Sequence, residues 1–182
     1  MTTESNITTA DFEVFLRRTE NLGRHFELYQ GKIVEKMPTV EHGFIALNIG
    51  AALRQYLKLN PIGIATVKSC HRSPNDEFTD YLPDVALVLG PAVPLVRKGA
   101  AMFMPDLAVE IKSPDDSLRQ MREKASSYLE RGTQLVWLVL PAQQIVEVYT
   151  ANDESVMGID GVLTGDPVLA RFALFVKEVF EG

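Results

Sequence analysis

Apolar residues recur at helical spacing from residue 9 to 22. Thr9 can cap this segment, and Phe12, Phe15 and Leu16 form a stripe that ends before Gly23. Between His25 and Lys36 the period drops to two on both sides of Gln30–Gly31, which predicts a hairpin. Residues 41–59 return to helical spacing, with Phe44, Ile45, Leu47, Ile49, Leu53 and Leu57 as the expected apolar face and Asn60–Pro61 as the stop. Strands are expected at about 62–71, 83–89 and 105–112. Next comes a helix with Ser113 at its N-cap, Pro114 at its first position and Asp116 closing a capping box. Its expected buried stripe is Leu118, Met121, Ala125, Tyr128 and Leu129, and Gly132 ends it. Residues 135–140 form a continuous apolar strand and 144–150 an alternating one. Beyond Thr150 the pattern supports only a short strand near 168–172 and a terminal turn around Phe175–Phe180. The uninterrupted apolar runs at 85–89 and 135–140 suit a sheet covered on both faces. The expected class is α/β, bordering on α+β, with a mixed sheet.

The 182 residues, 46% apolar and 23% charged, fit one globular domain spanning 1–182. The functional core is expected at about 10–150, followed by a short extension over 151–182. No apolar run approaches the roughly 20 residues of a membrane span. The start of the chain lacks the basic-then-apolar pattern of a secretory signal. A single cysteine, Cys70, excludes an internal disulfide, and no Cys/His zinc spacing occurs. These features suggest a reduced, cytoplasmic protein. The net charge of −6 argues at first against a nucleic-acid partner, but the acid excess is uneven. Residues 147–182 carry seven acidic and two basic groups, whereas residues 1–146 are nearly balanced, with 17 acidic and 16 basic groups. Charge therefore leaves the partner open.

Chemistry concentrates in Pro105–Ser113. On a strand, Leu107, Val109 and Ile111 share one face while Ala108, Glu110 and Lys112 share the other. A carboxylate and an ammonium then stand about 6–7 Å apart along one face. In a buried sheet such groups need a partner, a metal or water; on an exposed face they are an ordinary ion pair. Asp84, just ahead of the apolar run 85–89, adds a second carboxylate from a neighbouring strand. Two carboxylates can hold a hard divalent cation, and a lysine beside them can stabilise phosphate charge or help activate water. Cys70–His71 is not a nucleophile–base pair, because adjacent strand residues point apart. No phosphate loop, dinucleotide fingerprint or Gly-x-Ser-x-Gly elbow is present.

Asp84, Glu110 and Lys112 in this order resemble the signature of the PD-(D/E)xK nuclease superfamily. More specifically, the chain resembles the restriction-endonuclease-like family called Uma-two. The matching pieces are Phe26–Ile33, His42, Pro83–Val85, Val109–Pro114, Lys124, Tyr128, Gly132 and Trp137–Val139. The resemblance implies a restriction-endonuclease-like fold, a mixed central sheet flanked by helices. It also implies hydrolysis of DNA phosphodiester bonds assisted by Mg2+ or Mn2+. Asp84 and Glu110 would be the metal ligands, aided by a backbone carbonyl near Ile111, and Lys112 the catalytic lysine. Family members often keep a lysine on the following helix instead, here Lys124.

Four further readings accompany the resemblance. Glu27, the family's early glutamate, is either an additional site residue or a solvated hairpin carboxylate. His42 either contacts phosphate or is structural. Lys124, taken without the family pattern, is a solvated helix lysine. Arg119, Arg122, Arg131, Lys68 and Arg72 either meet a nucleic-acid backbone or form solvated faces. A homodimer would suit cleavage of both strands, although no residue demonstrates one. The alternatives to a nuclease are a catalytically silent nucleic-acid- or protein-binding member of the same fold, or a structural oligomer.

Overall fold

The computed structural model describes residues 6–181; the first five residues, part of the stretch read for a secretory signal, lie outside them. The chain, expected as a single domain, divides into two compact units. One comprises the residues up to Met37 with Cys70–Leu82 and Leu95–Phe103; the other comprises Pro38–Ser69, Pro83–Pro94 and Met104 onward.

In the first unit, Thr8 and Asp11 cap each other reciprocally at the start of α1 (Thr9–Leu16). The sequence predicts helix to residue 22, but α1 stops at Leu16. The Asn21 side chain donates to the Phe15 carbonyl at 2.8 Å, satisfying a helix-end acceptor while the chain turns through Thr19–Asn21. The expected hairpin forms as β1 (Phe26–Tyr29) and β2 (Lys32–Glu35). Gln30 and Gly31 both have positive φ, 49° and 73°, as a two-residue turn matching the strand twist requires. Phe12, Phe26 and Leu28 pack as this unit's apolar cluster, with the Phe15 and Phe26 rings edge-on at 4.9 Å.

The second unit is built on α2 (Val40–Leu59) and a six-stranded sheet. Thr39 caps α2 by accepting the His42 amide. The helix buries His42, Ile45, Ile49 and Leu53 at spacings of three or four, each apolar member contributing about 1.5–3 kcal/mol. Leu47, expected on this face, is 66% exposed because it lies two residues, about 200° of helix, from Ile45. The sheet order is β3 (Gly63–Val67), β4 (Val85–Leu89), β5 (Leu107–Ile111), β6 (Leu135–Leu140), β7 (Ile145–Thr150) and β8 (Glu154–Met157). Only β5 and β6 run parallel, joined by the crossover helix α3 (Leu118–Glu130), so the sheet is mixed.

The helix start expected at Ser113–Pro114 lies four residues too early. Asp116 accepts the Ser113 amide at 2.9 Å in a separate turn, and Ser117 is the true cap, accepting from Gln120. On one sheet face, Val85, Leu87, Val109, Ile111, Trp137 and Val139 join the α2 stripe in a continuous core. The segment expected as a short extension contains β8, β9 (Val162–Gly165), β10 (Leu169–Phe175) and α4 (Val176–Phe180). Leu163, Phe172, Leu174 and Val179 belong to that same core. The opposite face carries Ala108, Glu110, Val136 and Leu138, all buried, alongside α3. No helix among the described residues is long and apolar enough to cross a membrane.

Candidate active site

The strand alternation that separates Glu110 from Val109 and Ile111 turns its carboxylate towards α3, where Tyr128 donates to Oε1 at 2.8 Å. Lys124, one turn earlier on α3, brings Nζ to 2.8 Å from the same oxygen. Both partners of this ion pair are deeply buried, with side chains 8% and 7% exposed. Lys124 is thus not the solvated helix lysine that its neighbour Glu123 suggests. The helical period could have revealed this, since Lys124 lies three residues after Met121 and four before Tyr128, both buried.

Asp84 sits immediately before β4 and is stitched to β5 on either side of Glu110. Its amide donates to the Val109 carbonyl at 2.9 Å, and its Oδ2 accepts the Ile111 amide at 2.7 Å. The carboxylate replaces a ladder carbonyl at the point where strand pairing ends. His42 approaches from the first turn of α2, Nε2 lying 3.1 Å from Oδ2, and the Lys68 ammonium pairs with Oδ1. Burial alone would raise the Asp84 carboxyl. The His42 hydrogen bond and the Lys68 charge outweigh it and hold the group below the usual carboxylate range.

The second unit therefore brings Asp84, Glu110, His42 and Lys124 to adjoining positions, together with Lys68 and Tyr128. The sequence marks Lys68 only as a candidate for nucleic-acid backbone contact and Tyr128 only as a buried-stripe and family residue. Lys112 points elsewhere: its Nζ donates to the carbonyls of Ser113 at 3.0 Å and Pro114 at 3.4 Å. Glu27 belongs to the first unit, where it is buried rather than on a solvated face. It accepts the Leu82 amide at 3.3 Å and pairs with Lys36 at 3.7 Å.

The remaining basic candidates contact nearby protein groups. Arg119 pairs with Glu123, Arg122 with Glu147, Arg72 with Asp80, and Arg131 donates to Ser127. Cys70 is no nucleophile, as burial, reinforced by Asp80, pushes its thiol up to about 12. A groove of about 930 Å³ along α2 and β3 is lined by residues such as Leu47, Gly50, Ala51, Arg54 and Val67. Neither Asp84 nor Glu110 lines it.

Among the described residues, no three His, Cys, Asp or Glu side chains converge as a metal site would. Asp84 and Glu110 nevertheless suit a hard cation. They provide carboxylate oxygens, the donors a hard cation takes, from neighbouring strands, and a cation there would compete with the ammonium groups of Lys68 and Lys124. A small divalent ion needs few protein carboxylates when water and a substrate phosphate supply its other ligands.

A mixed sheet flanked by helices, with carboxylates at the start of one central strand and near the end of the next, defines a restriction-endonuclease-like fold. The chain belongs to the Uma2 family, described as "Putative restriction endonuclease", whose model matches residues 12–175. Its structure is similar to that of a putative nuclease belonging to DUF820 from Anabaena variabilis ATCC 29413. The two share 26% identity at a TM-score of 0.79, over 96% of this chain and 97% of that one. No curated protein matches the chain.

Proposed function

We propose that this protein is a divalent-cation-dependent endonuclease that hydrolyses phosphodiester bonds in DNA. The observation carrying the reading is the buried pair Asp84 and Glu110 on adjacent strands, each balanced by an ammonium group. Asp84 and Glu110 would hold Mg2+ or Mn2+ together with the Ile111 carbonyl, water and a phosphate oxygen. Such a cation supplies Lewis-acid polarisation of the phosphate.

The chain's own residues set the geometry. The Ile111 amide and His42 fix the Asp84 carboxylate, while Tyr128 fixes Glu110. Lys124, rather than Lys112, is the ammonium at Glu110 and is assigned to stabilising charge that develops on the phosphate. No catalytic role is assigned to Glu27, whose amide and Lys36 contacts explain its burial.

The test is cleavage of plasmid and single-stranded DNA at low salt in Mg2+, Mn2+ and EDTA, with the wild type beside Asp84→Asn, Glu110→Gln and Lys124→Met. Cleavage that needs the cation and is lost in all three variants supports the reading. Undiminished cleavage by Glu110→Gln refutes the assignment. A second reading, a catalytically silent member that binds nucleic acid or protein, draws on the pairing of both Asp84 and Glu110 with ammonium groups. DNA retention without turnover under any cation would favour it.

A further inference from the structure

Lys68 is tied to Asp84 at both ends. Its amide donates to the Asp84 carbonyl at 3.2 Å, and its ammonium pairs with the Asp84 carboxylate. The backbone that allows this is unusual. Lys68 has φ of 49°, in the left-handed region that a non-glycine residue seldom occupies, directly after β3 ends at Val67. A short hydroxyl–hydroxyl hydrogen bond, Thr66 to Ser69 at 2.6 Å, spans the same turn. Strain of this kind persists where surrounding contacts over-determine it, and it concentrates at functional sites.

The two ammonium groups of the site are also unequal. The Lys124 side chain is 8% exposed and held against α3, whereas the Lys68 side chain is 26% exposed. Lys68 can therefore withdraw from the carboxylate towards solvent without opening the core, and Lys124 cannot.

We infer that Lys68 is a displaceable counter-ion: its ammonium occupies Asp84 until a divalent cation enters, and then moves to the phosphate backbone of the substrate. The inference rests on the nuclease reading only in its second half. Cation and ammonium compete for one carboxylate, so each must weaken the other's hold by the same factor. No bond is made or broken, and the released ammonium keeps its three protons for phosphate oxygens.

Calorimetric titration of the full chain with Mn2+ tests the competition, comparing wild type, Lys68→Met and Lys68→Arg. Lys68→Met should bind Mn2+ at least about five-fold more tightly, yet cleave DNA about ten-fold or more slowly. Lys68→Arg, which restores the positive charge, should bring Mn2+ affinity back towards wild type and recover part of the cleavage. A merely structural lysine would give weaker cation binding in Lys68→Met, together with a lowered Tm. Unchanged or weakened Mn2+ affinity in a folded Lys68→Met overturns the inference. If no preparation cleaves but Lys68→Met still tightens Mn2+ binding, the counter-ion role stands and the nuclease reading fails. Should Lys68→Met not fold, wild type with 13C-methylated lysines decides. The Lys68 resonance must move when the diamagnetic ion Mg2+ is added, and a static resonance overturns the inference.

Discussion

Replacing Lys124 with Met removes one partner of the buried ion pair, while the Tyr128 hydroxyl still donates to the Glu110 carboxylate at 2.8 Å. Breaking a pair this deeply buried costs about 3–5 kcal/mol, because the remaining charge loses its compensation. For a chain of 182 residues, each kcal/mol shifts Tm by about 2–4 °C, so a fall of about 6–20 °C is expected. Removing the charge from both sides, in Glu110→Gln/Lys124→Met, leaves no buried unpaired ion. The double variant should therefore lose less than the two single losses combined, with a coupling energy of about 2 kcal/mol. Equilibrium urea denaturation of all four proteins measures this directly, with constant m-values as the check on two-state behaviour. Divalent cations should raise the Tm of Lys124→Met more than that of wild type, since a bound cation replaces the missing charge at Glu110. Single losses below about 0.5 kcal/mol that simply add would mean that Glu110 and Lys124 are solvated and uncoupled, with no buried ion pair between them.

Three other outcomes follow from the same structure. Lys112→Ala should keep cleavage within a few-fold of wild type and Lys124→Met should lose it about 100-fold or more, because Lys112 is turned to the carbonyls of Ser113 and Pro114; the reverse order in matched rate assays would return the catalytic role to Lys112. Gly63→Ala should destabilise by about 1–3 kcal/mol in urea, since an added Cβ would lie 2.2 Å from the Val88 carbonyl oxygen; an unchanged midpoint would show that β3 moves freely away from β4. The Cys70 thiol, pushed up to about 12, should resist iodoacetamide at pH 8 until the protein is unfolded. Because this pKa is raised on folding, its stabilising contribution is complete below the unfolded value of about 9. It is lost as pH rises towards about 12. Rapid native-state alkylation at pH 8 would contradict the burial.

The fold was legible wherever local chemistry and tertiary packing agree. Gln30–Gly31 encodes a turn whose backbone matches the strands it joins, and residues 85–88 and 135–140 lie buried on both faces of the sheet. Legibility failed where one local signal had two structural uses. Ser113 and Asp116 have the spacing of a helix cap but close a turn, and the actual cap, Ser117, is an unremarkable serine until its bond to Gln120 is seen. Strands β8 and β9 carry little sequence signal because each is only four residues long and mixes exposed with buried or half-buried positions. At the site, the sequence pattern brought out Asp84 and Glu110, and the family resemblance pointed to Lys124. The Lys68 contact had no local signal, because it depends on a left-handed turn 16 residues before its partner.

Asp84 and Glu110 are proposed to form a cation site that supports phosphodiester cleavage. The most direct measurement is Mn2+ binding and DNA cleavage in the same preparations of wild type, Asp84→Asn and Glu110→Gln. Wild type should bind the ion and cleave DNA only in its presence, and each variant should lose both properties while remaining folded. Cation-dependent cleavage that survives in both variants, or a folded wild type that binds no divalent cation even with DNA present, would contradict it.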